Sequence, residues 1–122
     1  MATNSRKGKG RRRIPGQMNK TESRYADHLA MRIKANELYA YAYEGLTLKL
    51  AHDTRFTPDF MVMNADDQIE FHEVKGTQKN KRPYIREDAH LKLRMAATMF
   101  PMFPFKVAFE VDGAWRIEEV KL

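Results

Sequence analysis

The sequence predicts an α/β fold in which a mixed β-sheet is flanked by helices. Three observations predict it: an apolar stripe at helical spacing, then three strand-like segments, then a second helical segment followed by a hairpin. A helix on either side of a group of strands favours helices packed on a sheet. The predicted order is helix, three strands, helix, two strands.

The first helix is predicted over residues 20–36, because apolar side chains recur there at helical spacing, namely Tyr25, Leu29 and Ile33. Asn19 or Thr21 can cap its start, and Glu22 lies in the first turn, where a carboxylate suits the helix dipole. Residues 38–43 alternate tyrosine and alanine, which fits either an extension of this helix or the start of a strand.

Three strands are predicted next. Residues 46–50 alternate apolar and polar side chains, and residues 56–63 are apolar on both faces. The third strand covers residues 68–75 and is closed by Gly76. Because residues 64–67 have turn composition, the second and third strands are predicted to form a hairpin.

The second half of the chain predicts a helix and a final hairpin. A basic loop over residues 76–83 leads into a helix over residues 86–100, and residues 105–111 and 115–120 pair through the Asp112-Gly113 turn. The side chains of this second helix that are available for burial are Ala89, Leu91, Leu93, Ala96, Ala97 and Phe100.

Composition limits the classes of function. The chain has 122 residues, which fits a single domain, predicted over residues 17–122. The absence of cysteine excludes disulfides, thiolate zinc sites and cysteine nucleophiles. No apolar run approaches the roughly 20 residues of a membrane span, and no signal peptide is visible. We therefore expect a cytoplasmic protein with no membrane partner.

The net charge of +6 is concentrated at the N-terminus. Six of the 22 basic residues lie in residues 1–13 without an acidic residue, and the other 16 balance the 16 acidic residues. These six are Arg6, Lys7, Lys9, Arg11, Arg12 and Arg13. We predict a flexible basic arm over residues 1–16 that binds nucleic-acid phosphates without reading sequence. The alternative is a terminus that only improves solubility.

Two carboxylates and a lysine lie on two neighbouring predicted strands. Asp59 follows Pro58, and Glu73 and Lys75 lie two residues apart in the next strand. Because side chains alternate across a strand, Glu73 and Lys75 share one face. His72 points to the other face, and we interpret it as packed or solvent-facing. The hairpin brings Asp59 close to Glu73. The alternative is a solvated ion pair of Glu73 and Lys75 on an exposed strand.

This set suits a divalent metal ion held against a phosphodiester. Mg²⁺ prefers oxygen ligands, so the predicted ligands are Asp59, Glu73 and the backbone carbonyl of Val74, with Mn²⁺ as a substitute ion. The metal would polarise the phosphate and acidify a bound water. Lys75 can orient or deprotonate that water, or stabilise charge on the phosphorane. We favour orientation and charge stabilisation, and the residues together predict a metal-dependent nuclease.

The pattern of Pro58-Asp59 followed by Glu73-Val74-Lys75 resembles the PD-(D/E)XK nuclease superfamily. The likeness is strongest to its small phage-type endonucleases, which include Holliday junction resolvases, and it spans about residues 19–111. Further matching segments are Lys20-Thr21-Glu22-Ser23-Arg24-Tyr25, Val74-Lys75-Gly76, Ala89-His90-Leu91-Lys92-Leu93-Arg94 and Phe100-Pro101.

The resemblance implies a restriction-endonuclease-like core and a Mg²⁺-dependent endodeoxyribonuclease acting on branched DNA such as Holliday junctions. It implies that Glu22, Asp59, Glu73 and Lys75 are catalytic, with Glu22 as a further metal ligand. By its position alone, Glu22 is slightly better explained as a helix-dipole acid. The resemblance also implies a phage-infected or prophage-bearing bacterial cell. A resolvase needs two active sites and hence a homodimer.

Basic residues after the third strand are predicted to grip DNA phosphates on either side of the cut. They are Lys79, Lys81, Arg82 and Lys92. For each of them the alternative is a solvated surface position. The competing function is a non-catalytic nucleic-acid-binding protein on a nuclease scaffold, in which the arm rather than the acids governs binding.

Overall fold

The computed structural model describes residues 16–121. The six basic residues of the predicted arm therefore lie outside the described residues, namely Arg6, Lys7, Lys9, Arg11, Arg12 and Arg13. In the described part of the chain, neither helix has the length and apolar character needed to cross a bilayer.

A five-stranded mixed sheet forms the centre of the fold. The elements in chain order are α1 (Lys20–Lys34), β1 (Leu38–Tyr43), β2 (Leu48–Lys49), β3 (Arg55–Phe56), β4 (Phe60–Asn64), β5 (Ile69–Val74), α2 (Glu87–Met99), β6 (Phe105–Val111) and β7 (Ala114–Glu119). The strand order is β1-β4-β5-β6-β7, parallel between β5 and β6 and antiparallel elsewhere, and β2 pairs with β3 in a separate ribbon. The α/β class, the mixed sheet and both predicted hairpins are confirmed.

The two helices cover opposite faces of the sheet, because alternate strand residues belong to different apolar clusters. The cluster under α1 contains Tyr25, Ala26, Leu29, Leu38, Phe60, Val62, Val74 and Ala108. The cluster under α2 contains Leu93, Ala96, Phe71, Phe105, Val107, Phe109 and Val111, and the β2–β3 ribbon adds Leu48, Leu50 and Phe56 to it. Sequence neighbours at the end of β5 therefore face different sides of the sheet.

The predicted second strand is divided into β3 and β4. Pro58 has no backbone N–H to donate to a ladder, and the N–H of Asp59 is taken by the side chain of Glu73. The chain consequently leaves the ribbon at Phe56 and enters the central sheet at Phe60. Of the predicted strand at residues 46–50, only β2 is regular.

The structure also decides the predictions for residues 38–43 and for the buried face of the second helix. Residues 38–43 form a strand, β1, at one edge of the sheet, rather than a longer α1. Leu91 was expected to be available for burial but is exposed, because the buried stripe of α2 passes through Leu93 and Ala96. Residues two positions apart point to different sides of a helix.

Candidate active site

The four predicted catalytic residues come from elements that meet at one end of the sheet. Asp59 directly precedes β4, Glu73 lies one residue before the end of β5, and Lys75 directly follows it. Because β4 and β5 are antiparallel, the start of one strand lies beside the end of the other. The first turn of α1 brings Glu22 to the same end, where Tyr43 closes β1 opposite Phe60.

Asp59 and Glu73 are joined by reciprocal hydrogen bonds between side chain and backbone. Oε1 of Glu73 accepts the N–H of Asp59 at 2.7 Å, and Oδ2 of Asp59 accepts the N–H of Val74 at 2.8 Å. Asp59 is 4% exposed and Glu73 7%. The structure thus brings these two carboxylates together, as the strand positions predicted, and the rigid backbone orients both.

The pairing of two buried acids changes the ionisation of one of them. Burial, together with the carboxylates of Glu73 and, more weakly, Glu22, raises the pKa of Asp59 to about 8. The hydrogen bond from Val74 and the charge of Lys75 act in the opposite direction. Burial and the neighbouring carboxylates therefore favour the protonated form of Asp59.

Lys75 contributes a positive charge to the site. Its Nζ lies 3.6 Å from Oε2 of Glu73, and its side chain is 22% exposed. A solvated surface pair is therefore the wrong interpretation of Glu73 and Lys75, because Glu73 is buried. The lysine keeps access to solvent while it contacts a buried carboxylate, which is the position that a group acting on a bound polyanion needs.

Glu22 serves as a cap and also contacts the end of β1. Asn19 is the cap residue, since its Oδ1 accepts the N–H of Glu22 at 2.8 Å, and Oε1 of Glu22 accepts the N–H of Asn19 at 2.9 Å. The same oxygen accepts the hydroxyl of Tyr43 at 2.9 Å. Glu22 is only 5% exposed, although acids in first turns are ordinarily solvated. Both interpretations of Glu22 are therefore compatible with its geometry.

The donor set fits a small, hard cation. Within residues 16–121, no three or more Asp, Glu or His side chains form a group able to hold a metal ion. Mg²⁺ does not require such a cage, because it keeps several waters and is usually bound through one or two carboxylates. Asp59 and Glu73 provide two, joined by the reciprocal hydrogen bonds at the end of the sheet.

Two of the predicted nucleic-acid-binding residues after β5 are bonded to acidic residues near the edge strand β7. Arg82 donates two hydrogen bonds to Glu118 of β7, at 2.8 and 2.7 Å, and its guanidinium lies 5.7 Å from the ring centre of Phe109. Lys81 pairs with Asp112 in the turn after β6 at 3.0 Å. Lys79 and Lys92 are exposed. The structure therefore pairs Arg82 and Lys81 with acidic residues of the β6–β7 hairpin.

Sequence reasoning missed two groups of residues. The first is Tyr43, whose hydroxyl bonds to Glu22. The alternation of tyrosine and alanine in residues 38–43 could have indicated it, because a strand there places Tyr43 beside the start of β4. His72 is 1% exposed and hydrogen-bonded to Tyr25 and Glu70, so the solvent-facing alternative was wrong. No local sequence pattern identifies Tyr25 and Glu70 as the partners of His72.

The chain was compared with protein-family models, with curated proteins and with solved structures, and none of them matches. The resemblance to the PD-(D/E)XK superfamily consequently stays a prediction from the motifs. The geometry of the site carries the functional conclusion.

Proposed function

We propose that the protein is a metal-dependent endodeoxyribonuclease that hydrolyses phosphodiester bonds. The observation that carries this proposal is the buried, reciprocally bonded pair of Asp59 and Glu73 beside Lys75. Two carboxylates held side by side at the end of two strands are suited to bind one divalent cation through their oxygens. A site that combines two such ligands with a partly exposed lysine suits an anionic substrate bound through a metal.

Asp59, Glu73 and the carbonyl oxygen of Val74 would hold Mg²⁺ or Mn²⁺. Such an ion, when bound, polarises a phosphoryl oxygen and makes a bound water acidic enough to attack near neutral pH. Glu22 adds negative charge close to this position, since its carboxylate already acts on Asp59. We assign Glu22 to the site on this basis.

Lys75 would act on the phosphate and the attacking water. Its ammonium group can orient a water by hydrogen bonding and stabilise the charge that develops on the phosphorus centre. Its contact with Glu73 restricts the directions that the ammonium group can take. Each of these roles uses the charged form of the side chain.

Branched DNA is the substrate class that we propose, by the resemblance of the motifs. Cutting two strands of a Holliday junction needs two sites, so the active form would be a homodimer. A non-catalytic nucleic-acid-binding protein is the second candidate. The six basic residues in residues 1–13 favour it, because they would bind DNA with or without the carboxylates.

A cleavage assay separates the two candidates. Junction, flap, duplex and single-stranded DNA are incubated with the purified protein in Mg²⁺, Mn²⁺ or EDTA. We expect metal-dependent cutting that falls by at least about 10²-fold in Asp59→Asn, Glu73→Gln and Lys75→Met. Asp67→Asn in the β4–β5 turn is the matched control, because it removes an exposed carboxylate at a positive φ of 65° that asparagine tolerates.

Two outcomes would contradict the proposal. Undiminished cutting by Glu73→Gln would show that the site is wrongly assigned. Salt-sensitive binding of all four DNA forms without turnover in either metal would favour the binding protein instead.

A further inference from the structure

A buried chain of polar side chains lies on the face of β5 opposite to Glu73. Oη of Tyr25 is 2.6 Å from Nδ1 of His72, and Nε2 of His72 is 2.7 Å from Oε1 of Glu70. Lys106 contacts the same oxygen at 3.1 Å, and Asn64 donates to the other Glu70 oxygen at 2.9 Å. The chain therefore connects α1, β4, β5 and β6, and both Tyr25 and His72 are buried.

The hydrogen bonds have defined donors. Tyr25 and His72 are both buried, and Nε2 of His72 faces a carboxylate oxygen of Glu70, which accepts rather than donates. The hydrogen bond from His72 holds the pKa of Glu70 at about 2, so Glu70 is ionised and accepts. His72 must then carry its proton on Nε2, and its Nδ1 accepts from the Tyr25 hydroxyl.

The order of tyrosine, histidine and glutamate is that of a nucleophilic triad, but the tyrosine hydroxyl has no access to a substrate. Tyr25 has no exposed surface, and its hydroxyl is directed at His72. Core stability alone does not require such a network either, since well-packed apolar residues often replace buried polar groups without loss. A network in which every polar group has a hydrogen-bond partner fixes the distance and the orientation between the elements that it joins.

We propose that Tyr25 and His72 are positioning residues that fix Glu22 relative to Glu73. Glu22 lies three residues before Tyr25 on α1, which is just under one helical turn, and Glu73 directly follows His72 on β5. The Tyr25–His72 hydrogen bond therefore ties the turn that carries one carboxylate to the strand that carries the other. This inference rests on the proposed function of the same site.

The Tyr25–His72 hydrogen bond orients a different part of the site from the hydrogen bond that Tyr43 donates to Glu22. Tyr43 holds the carboxylate itself, whereas Tyr25 holds the helix from which that carboxylate projects. Loss of residues that orient metal ligands typically reduces metal affinity or activity about 10- to 100-fold. We expect Tyr25→Phe to have an effect in this range.

The first test compares two substitutions that each remove one hydroxyl group. Tyr25→Phe deletes the hydrogen bond to His72. Tyr41→Phe is the matched control, because Tyr41 packs against Phe60 in the same cluster and its hydroxyl bonds to no residue in the described part of the chain. Mn²⁺ affinity is measured by titration calorimetry, the Mg²⁺ concentration for half-maximal cleavage by assay, and DNA binding in EDTA by anisotropy.

We expect Tyr25→Phe to weaken Mn²⁺ binding about tenfold and to raise the half-maximal Mg²⁺ concentration, with DNA binding in EDTA unchanged. Tyr41→Phe should change none of the three. If Tyr25→Phe binds Mn²⁺ as well as Tyr41→Phe does, the positioning role is overturned and the network is only structural. If the wild-type protein neither binds Mn²⁺ nor cuts DNA, the proposed function itself fails, and this inference fails with it.

A second pair of variants keeps the test informative if Tyr25→Phe does not fold. The oxygen of an asparagine at position 72 can take the place of Nδ1 and still accept from Tyr25, whereas a glutamine nitrogen there can take the place of Nε2 and donate to Glu70. We expect His72→Asn to retain Mn²⁺ affinity within about threefold and His72→Gln to lose about tenfold. If His72→Gln instead bound Mn²⁺ more tightly than His72→Asn, the positioning role of the Tyr25–His72 hydrogen bond would be overturned.

Discussion

The side chain of Glu73 accepts the backbone N–H of Asp59, and the side chain of Asp59 accepts the N–H of Val74, the residue after Glu73. Each acid is thereby oriented by the main chain beside the other. The arrangement depends on the break between β3 and β4, because an unbroken ladder would use the N–H of Asp59. The same irregularity that shortens the strand creates the carboxylate pair.

The first prediction concerns stability in the absence of metal. The folded state raises the pKa of Asp59 from its ordinary value of 3.8 to about 8, so it favours the protonated form. The stability from this group is complete below pH about 4 and is lost as the pH rises through about 8. Each unit of raised pKa corresponds to about 1.4 kcal/mol, so the decline is measurable.

We therefore expect the free energy of unfolding in EDTA, measured with urea at several pH values from 4 to 9, to fall toward alkaline pH. Asp59→Asn should flatten this decline and exceed the wild type in stability at pH 8, because it removes the buried charge. Asp67→Asn, which changes an exposed acid, should follow the wild type. An unchanged slope in Asp59→Asn would refute the assignment of the raised pKa.

The second prediction concerns stabilisation by a divalent ion. Ligands bind metals in the deprotonated form, so Mg²⁺ competes with protons for Asp59 and should bind more tightly at pH 8 than at pH 6. At a concentration of 100 Kd a ligand of the folded state stabilises it by about 2.7 kcal/mol. We expect a larger rise in Tm on adding Mg²⁺ at pH 8 than at pH 6, and no rise in Glu73→Gln. An equal rise with the same ionic strength of NaCl would show that no specific site is involved.

The third prediction concerns Glu70, whose ionisation shifts in the opposite direction. The hydrogen bond from His72, helped by those from Asn64 and Lys106, lowers its pKa from 4.5 to about 2. Its contribution to stability is therefore present above pH 4.5 and is lost as the pH falls through about 2. Glu70→Gln leaves Lys106 without its charged partner and should reduce stability at pH 7 by about 2–4 kcal/mol. The difference from the wild type should shrink at pH 2. Glu119→Gln, an exposed acid on β7, serves as the control, and an equal loss in both variants would contradict the role of the network.

The fourth prediction concerns the basic segment of residues 1–13. Binding of four to six phosphates gives a slope of log K against log salt concentration of roughly −4 to −5. Replacing the six basic residues by glutamine should reduce the magnitude of that slope by a similar amount, while metal-dependent cutting at low salt persists. An unchanged slope would show that other residues supply the phosphate contacts.

Local patterns account for the parts of the fold that could be predicted. Helical spacing in α1 and strand alternation in β5 depend on near neighbours in sequence, so they placed Glu22 in a first turn and Glu73 beside Lys75. The link between Tyr25 and His72 spans 47 positions and depends on how α1 lies on the sheet. The pairing of Arg82 with Glu118 is equally non-local, and a basic loop composition could not distinguish it from a DNA contact.

The last prediction separates the two interpretations of Glu22. As a helix cap, Glu22 acts together with Asn19, and Asn19→Ala should reduce the free energy of unfolding by about 1 kcal/mol. Glu22→Gln keeps an oxygen that can accept from Asn19 and Tyr43, so stability should change by less than about 0.5 kcal/mol. If the charge of Glu22 serves the metal site, Glu22→Gln loses cutting while Asn19→Ala retains it. If cutting instead follows stability across the two variants, Glu22 is only a cap. Urea denaturation and the cleavage assay on the same preparations distinguish these outcomes.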